Sequence, residues 1–472
     1  MRSAGLIATL AVLSLPVALW AHAHLRRSEP AANERLTSSP PAIRLWYSER
    51  PELAFTRVRL RAADSSEITL GAIARMTDDP MGVTVPIARP LAVGKYTVLW
   101  RTAAADGHAS SGSFGFELGA AAPVIASVDT TRHAAASNAL VTRDSGAALS
   151  TSPKATAATR WLEFMAMLAV IGAVIFRLVV LPRANREMAS VMSIETHNEI
   201  ADTARRLAQG ALVLLILVQL SRFSGEVHAL LGADAAINRG VFISMLGTGW
   251  GTGWFIGIAG TVVAAVGLLL VRRWRDDVGW TVAAIGALAA GCSPALTGHA
   301  RTTLPVGLAV VTDVLHVLAA CAWLGTLLTL LFVALPLVRG ARSMTRVGSG
   351  ALVASLVRAF HPVALTCAAV VVGSGLVAAW LRLPTVASLW ESGYGRLLLL
   401  KLAFVAVVVV LGAINWRGLL PTLGDDASAR RITRTASAEL TIAALVLAVT
   451  AVLVSTSPPE PARRATTASI SR

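Results

Sequence analysis

Residues 95–118 read "KYTVLWRTAAADGHASSGSFGFEL", and this stretch decides the fold of the N-terminal part of the chain. Apolar and polar residues alternate on both sides of a segment that contains Ala, Gly and Ser. A period of two predicts two strands joined by a turn. Earlier in the chain, the stretches "IRLWYSE", "FTRVRLRA" and "GVTVPI" show the same alternation, with Pro, Gly, Asp and Ser between them. Residues 24–119 are therefore predicted to form a small antiparallel β-sandwich.

The remainder of the chain is too apolar for an ordinary water-soluble domain. The whole chain has 472 residues, of which 55% are hydrophobic and only 15% are charged, and its mean hydropathy is +0.64. An Ala-, Ser- and Thr-rich segment at 120–158 is predicted to be a flexible linker. Residues 159–457 are predicted to be an all-α membrane domain of about eight transmembrane helices, followed by a tail at 458–472. The predicted spans are 160–181, 207–230, 253–271, 279–298, 307–337, 359–381, 395–416 and 436–456.

The distribution of charge predicts the orientation. The net charge of +15 comes almost wholly from arginine. No basic run is interleaved with aromatic residues, so a nucleic-acid partner is not expected. If the sandwich lies outside the cytoplasm, arginines concentrate in the inside loops and are sparse in the outside loops, as the positive-inside rule requires. The inside arginines are Arg183, Arg186, Arg205, Arg206, Arg272, Arg273, Arg275, Arg339, Arg342, Arg346, Arg417, Arg430, Arg431 and Arg434; the outside ones include Arg239, Arg301, Arg382 and Arg396.

The first 23 residues have the pattern of a secretory signal peptide. Arg2 precedes an apolar run from Leu6 to Trp20, and Ala21-His22-Ala23 fits an A-x-A cleavage site. Cleavage there exports the sandwich and makes His24 the new N-terminus. The alternatives are an uncleaved anchor or cleavage a residue or two away. All three cysteines lie in apolar segments, so the exported domain has no disulfide framework.

A candidate metal site lies in the sandwich. Asp106 and His108 are two residues apart in the turn between two predicted strands, and His24 contributes an imidazole and, after cleavage, an α-amine. Copper(II) favours a tetragonal set of nitrogen and oxygen donors, and zinc could use the same donors in a tetrahedral arrangement. The alternative is that Asp-Gly-His is only a hairpin turn, since Asp-Gly is a common turn pair.

These residues also carry a resemblance. "HLRRSEPA" (24–31), "YTVLWR" (96–101) and the pattern D-G-H-x-x-x-G-x-F-x-F (106–116) resemble the CopC family of periplasmic copper-binding proteins. The resemblance implies a cupredoxin-like fold that binds copper(II) through the amine and imidazole of His24 with Asp106 and His108. Some family members also have a methionine-rich copper(I) loop, for which this domain offers only Met76 and Met81.

A second constellation lies in the membrane domain, where ionisable groups are costly and often functional. His299 ends the fourth predicted span in "CSPALTGHA", and Asp313 and His316 share one face of the fifth in "TDVLHVLAACAWLG". The three residues are predicted to converge near the outer surface as a transmembrane copper path. The alternatives are an interfacial histidine and a buried hydrogen-bonded Asp–His pair.

This constellation resembles the CopD family of copper-resistance membrane proteins. The likeness rests on "GHA" (298–300), D-x-x-H-x-x-A-A-x-x-W-x-G (313–325), Y-G-x-x-L-x-x-K (394–401) and Asn415 of "GAINW". It covers about residues 160–456. The whole chain therefore resembles a fused CopC–CopD protein of the bacterial inner membrane, a type associated with bringing copper into the cell.

Other groups in the spans are weaker candidates for the copper path. Cys292 and Cys321 lie near the histidines in sequence, and soft sulfur ligands suit copper(I), but cysteine is also a common small apolar residue. Glu163 could line a path, and Lys401 and Glu439 could form an ion pair between the last two spans. The remaining weaker candidates are Glu226, His228 and His361, the last as an exit ligand.

The leading functional hypothesis is copper import, with the sandwich passing copper from periplasmic donors to the bundle and onward to cytoplasmic acceptors. We expect no enzymatic activity and no cofactor besides copper. No Walker A sequence and no phosphorylation motif with its own ATP-binding domain is apparent in the sequence. The alternatives are a haem- or copper-dependent redox protein and a tolerance protein that sequesters copper without transport.

Overall fold

The computed structural model describes residues 25–103, 109–119, 153–187, 192–231, 236–271, 276–301, 303, 305–340, 349–415, 417 and 426–456. The described residues fall into two compact units. One is drawn from Ser152–Phe223 and Thr252–Arg472, and the other from Ala21–Thr151 and Ser224–Gly251. The second unit contains the predicted sandwich, and the first contains most of the predicted spans.

The N-terminal part is a sandwich of two sheets, as the alternating pattern predicted. One sheet has the strand order β1-β3-β7-β6, and the other has the order β2-β9-β8-β4-β5. Apart from a parallel pair between β2 and β9, the pairings are antiparallel. The strands are β1 Leu25–Glu29, β2 Arg35–Leu36, β3 Ala42–Tyr47, β4 Arg57–Ala62, β5 Glu67–Ile68, β6 Ala74–Arg75, β7 Gly82–Pro86, β8 Gly94–Ala103 and β9 Ala109–Leu118.

The longest hairpin of the sandwich is formed by the stretch quoted above. β8 and β9 pair from Gly94 opposite Leu118 to Ala103 opposite Ala109. Every second side chain of β8 points into the core, where Val98 and Trp100 are buried. The core that these residues form with the facing sheet supplies the stability of a domain without disulfides, because buried apolar area is the main favourable term in folding.

Gly112 is required by the packing of this hairpin. A Cβ atom at Gly112 would lie 2.8 Å from Cζ2 of Trp100, which is closer than carbon atoms approach each other. The Trp100 ring therefore occupies the space above Gly112. On its other side, the ring meets Tyr47 of the facing sheet edge to face, with 5.4 Å between centroids.

In the described part of the chain, eight helices are long and apolar enough to cross a membrane, which agrees with the predicted number of spans. They are, in order from the first span to the eighth, Ala155–Glu187, Ile194–Leu231, Gly249–Leu270, Asp276–Leu296, Val306–Gly340, Gly350–Arg382, Gly393–Ile414 and Arg431–Val454. The individual α-helices are Pro153–Ile175, Leu181–Glu187, Ile194–Leu231, Arg239–Leu246, Gly249–Leu270, Asp276–Leu296, Val306–Thr329, Leu335–Gly340, Ser349–Arg382, Ser388–Glu391, Gly393–Ile414 and Asp426–Val454.

The fifth span contains an irregular turn. Its helix Val306–Thr329 passes through a π-helical turn, Leu330–Ala334, and continues to Gly340. The first span contains a similar turn at Phe176–Val180. Such turns widen a helix locally and are frequent at functional sites.

The fifth span packs against the first, fourth and sixth spans. Its contact with the first span is a backbone contact, because a Cβ at Gly172 would come within 2.0 Å of the carbonyl carbon of Gly325. Small residues at such crossings let helices approach closely where lipid provides no hydrophobic drive. The fifth span, which carries Asp313 and His316, is therefore held firmly in the bundle.

Candidate functional site

The predicted ligands of the sandwich, His24, Asp106 and His108, lie outside the described residues. Their neighbours are described and lie at one end of the sandwich. β1 begins at Leu25, whose partner in β3 is Tyr47, and the Tyr47 ring contacts Trp100. Trp100 is three residues, roughly 10 Å, before the end of β8 at Ala103.

Tyr47 lies at this same end and is not suited to bind a metal as a phenolate. Its side chain is almost fully buried in the apolar core, with 2% of its surface exposed. Burial raises the pKa of its hydroxyl well above the usual value near 10. The hydroxyl is therefore neutral at physiological pH, and the candidate ligands at this end remain those of the sequence prediction.

In the membrane domain, Asp313 lies in an ion pair. Arg382, at the end of the sixth span, donates a hydrogen bond from Nη2 to Asp313 Oδ2 at 2.5 Å. Both side chains are largely buried, at 13% and 25% exposed for Arg382 and Asp313. Lys401 and Tyr394 of the seventh span lie within electrostatic range of the pair. Two basic side chains thus face one carboxylate.

His316 lies three residues further along the fifth span and contacts the sixth. Its Nδ1 is 3.0 Å from the hydroxyl oxygen of Ser374. That hydroxyl donates its single proton to the carbonyl of Val370, 2.5 Å away, so we assign the proton of the His316–Ser374 hydrogen bond to Nδ1. The neutral ring then has its lone pair on Nε2, which is the arrangement of a metal ligand whose other nitrogen is fixed by a neighbour.

The third member of the predicted path, His299, begins a short 3-10 turn, His299–Arg301, after the fourth span. Its backbone is described but its side chain is not. The turn packs against the helix that carries Asp313 and His316. Asp313 lies about 10 Å and His316 about 15 Å along their helix from Val306, and the convergence of the three positions stays a prediction.

Glu163 lies at the centre of a separate ionic network. Arg222 of the second span donates to Glu163 Oε1 at 2.5 Å, and Arg160 lies 4.0 Å from Oε2. Arg222 also donates to the hydroxyl of Thr297, at 3.4 Å, near the end of the fourth span. Glu163 is completely buried, so these arginines stabilise its charge. The sequence suggested Glu163 as a path residue, and its contacts are those of a fixed structural centre.

The predicted ion pair between Lys401 and Glu439 is wrong. Lys401 lies near Asp313 and Arg382, whereas Glu439 accepts a hydrogen bond from the side-chain amide of Asn415 at 3.2 Å. The two residues belong to different clusters because they lie at different depths of the last two spans.

The weaker metal-ligand candidates are scattered. Cys321 is buried in the apolar core, and Cys292 donates to the carbonyl of Leu288 at 3.3 Å. Glu226 and His228 lie in the last turns of the second span, and His361 lines a cavity between other spans. Within the described ranges, no three His, Cys, Asp or Glu side chains are grouped closely enough to hold a metal ion.

Sequence reasoning missed the basic partners of Asp313. The charge pattern assigns Arg382 to an outside loop, and it lies 69 residues from Asp313 in the chain. A signal for the seventh span was available, because Tyr394 and Lys401 are seven residues, or two helical turns, apart and share one face.

The fold and these clusters define a class: a β-sandwich domain followed by a polytopic helical membrane domain with ionisable groups in its spans. Comparisons with known families agree with that class. Residues 25–119 match the CopC domain, residues 150–305 match the copper resistance protein D-like N-terminal domain, and residues 354–453 match copper resistance protein D. The chain belongs to the copper resistance family in which CopC and CopD domains are joined, and its function is related to copper at a membrane.

Individual relatives cover different parts of the chain. The copper transport protein CutJ of Bacillus subtilis is 27% identical over 464 residues, which are 97% of this chain and 78% of CutJ. Protein YobA of Escherichia coli K12 is 34% identical over 112 residues, 24% of this chain and 90% of YobA. The crystal structure of CopC from Methylosinus trichosporium OB3b is 23% identical and covers 22% of this chain and all of that one, with a TM-score of 0.20.

Proposed function

We propose that this protein imports copper: the sandwich captures copper(II) outside the cytoplasm, and the bundle moves the ion inward. The observation that carries the proposal is the union, in one chain, of a CopC domain with copper resistance protein D-type membrane domains, and the hydrogen-bonded imidazole of His316 in the span between the two membrane matches. The similarity to a copper transport protein along almost the whole chain supports the same function.

Capture uses the α-amine and imidazole of His24 with Asp106 and His108. Three nitrogens and one carboxylate oxygen complete the equatorial plane that copper(II) favours. The positions of Leu25 and Ala103 support this set, because they bring the neighbours of all three residues to one end of the sandwich.

Delivery to the bundle is intramolecular. Residues 153–158 of the predicted linker belong to the α-helix Pro153–Ile175. Because both domains belong to one chain, the effective copper concentration at the bundle is raised to about the millimolar range. The arginine-rich loops predicted on the inside support an orientation in which the sandwich and the outer end of the bundle share one compartment.

The outer site of the bundle consists of His299, Asp313 and His316. His316 offers Nε2, and Asp313 offers a carboxylate that balances the charge of the ion. The Asp313–Arg382 ion pair must open for this to happen, so Arg382 is the residue that a copper ion displaces. The ion pair thereby keeps the site neutralised while no metal is bound, which lowers the cost of the carboxylate in the membrane.

Copper uptake into proteoliposomes tests the proposal. His316→Ala should abolish uptake while copper(II) binding by the sandwich, measured by electron paramagnetic resonance, stays intact. His197→Ala, which changes a histidine of the second span outside the clusters, is the matched control and should transport normally. Uptake by the His316 variant equal to that of the parent protein would refute the site, and absence of uptake by the parent would refute import.

The same preparation separates the alternatives. A sequestering protein would bind copper without moving it into the vesicles, and a haem protein would show a haem absorption spectrum after purification.

A further inference from the structure

A cavity of about 310 Å³ lies between the fifth, sixth, seventh and eighth spans. Its wall is mostly aliphatic and aromatic. The polar side chains among its lining residues are His361, Asn415 and Glu439. It lies towards the ends of the spans that adjoin the arginine-rich loops, because Glu439 is eight residues from the start of the last span at Arg431 and Asn415 directly follows the seventh.

Glu439 is held in one orientation at this cavity. Only 5% of its surface is exposed, and its Oε2 accepts a hydrogen bond from the Asn415 amide at 3.2 Å. The hydroxyl of Thr435 in turn donates to the carbonyl oxygen of Asn415, so the NH₂ group of Asn415 must face Glu439. The carboxyl group is therefore fixed at the cavity wall by a neutral amide.

This environment differs from that of other carboxyl groups in the spans. Glu163 and Asp313 each accept a hydrogen bond from an arginine at 2.5 Å. Glu439 has a hydrogen bond from an amide, and no basic residue is among the groups that act on it in the described part of the chain. An ionised carboxylate without a cation is very costly in an apolar surrounding, so the cavity favours the protonated form of Glu439.

The surrounding elements offer one titratable neighbour across the cavity. The sixth span contributes His361, while the residues that the fifth and seventh spans contribute to the wall do not titrate, and the first span contributes none. On the same helix as Glu439, Arg431 and Arg434 are exposed near its beginning. The protonation of Glu439 therefore depends on what enters the cavity.

We propose that Glu439 is a proton-binding group of the bundle, which holds a proton while the cavity is empty and gives it up when a metal cation enters. The carboxyl O–H bond breaks, the proton leaves to water, and the carboxylate oxygen takes the cation as its counter-charge. A proton and a cation that compete for one carboxylate move in exchange for each other. This inference rests on the proposed function for the identity of the cation.

Infrared difference spectroscopy detects directly whether the Glu439 carboxyl group is protonated. The purified full-length protein is titrated with copper(II), and the carbonyl stretch of a neutral carboxylic acid is followed. The band should decrease as copper is added to the parent protein, and it should be missing in Glu439→Gln, which keeps the shape and the hydrogen bond to Asn415. Glu187→Gln is the control, since Glu187 is half exposed and pairs with Arg358 at 3.5 Å.

A neutral-acid band that persists in Glu439→Gln, or a parent spectrum without a copper-sensitive band, would overturn the inference. These readouts do not require that the protein transports anything.

Proteoliposomes that contain a pH-sensitive dye provide the second test. Copper uptake by the parent protein should be accompanied by proton movement out of the vesicles. Glu439→Gln should slow uptake at least tenfold and make the remainder insensitive to a pH gradient, and Glu439→Asp should restore part of both. Equal proton movement in Glu439→Gln would refute the inference. If the parent moves no copper, import is refuted and the infrared result alone decides about Glu439.

Discussion

Removing the Arg382 guanidinium should strengthen copper binding by the bundle. In Arg382→Gln, an incoming ion no longer has to break the 2.5 Å ion pair with Asp313. Breaking a fully buried pair costs about 3–5 kcal/mol. Because these side chains are 13% and 25% exposed, solvent screens the pair, and the cost of breaking it falls to about 1–3 kcal/mol. At 1.4 kcal/mol per factor of ten, copper affinity should rise roughly 5- to 140-fold.

The assay must isolate the bundle from the sandwich. His108→Ala is introduced into both proteins to weaken the sandwich site, and copper affinity is then measured by competition with a chelator of known strength. Arg358→Gln is the matched control, because it removes an arginine from a pair at 3.5 Å whose side chains are about half exposed. Such a surface pair contributes less than about 1 kcal/mol, and copper affinity should not change. An Arg382 variant with unchanged or weaker affinity would show that Asp313 is not a copper ligand.

Two predictions concern the sandwich. Gly112→Ala should lower its unfolding free energy by about 1–3 kcal/mol, because the new methyl group would overlap the Trp100 ring. Thermal unfolding followed by tryptophan fluorescence measures this, and Gly115→Ala, whose Cβ would lie 3.4 Å from a backbone oxygen, should be much milder. One extra residue before His24 should remove the α-amine from copper(II), and an identical nitrogen hyperfine pattern in electron paramagnetic resonance would contradict amine ligation.

The sequence predicted the strands and the membrane spans well, but it predicted poorly which side chains contact each other. Alternation over β8 predicted its buried face correctly, since a strand with one buried face must repeat every two residues. Eight apolar segments predicted eight spans, because only long helices satisfy their backbone groups in lipid. The π-helical turn at Leu330–Ala334 has no pattern of its own in the sequence.

The candidate membrane site shows why contacts are harder to predict. The spacing of Asp313 and His316 predicts a shared helix face, which is a local property. Which helix that face meets depends on packing between segments far apart in the chain, so Arg382 and Ser374 could not be foreseen. The incorrect Lys401–Glu439 pair has the same origin: opposite charges on neighbouring spans suggest a contact, and their depths decide against it.

The partners of three carboxyl groups in the spans suggest how charge is managed along the proposed path. Glu163 is fully buried and lies close to two arginines, so its role is structural. Asp313 has a basic partner too, but its side chain remains 25% exposed, and a cation can displace Arg382 there without entering a closed core. Glu439 lies beside a cavity and, among the described residues, is hydrogen-bonded by an amide, so on our proposal a proton neutralises it until a cation arrives. A copper ion that moves from Asp313 to Glu439 therefore displaces an arginine first and a proton second. Only the second displacement releases a mobile charge, and for that reason the coupling of transport to protons should depend on Glu439 and not on Asp313.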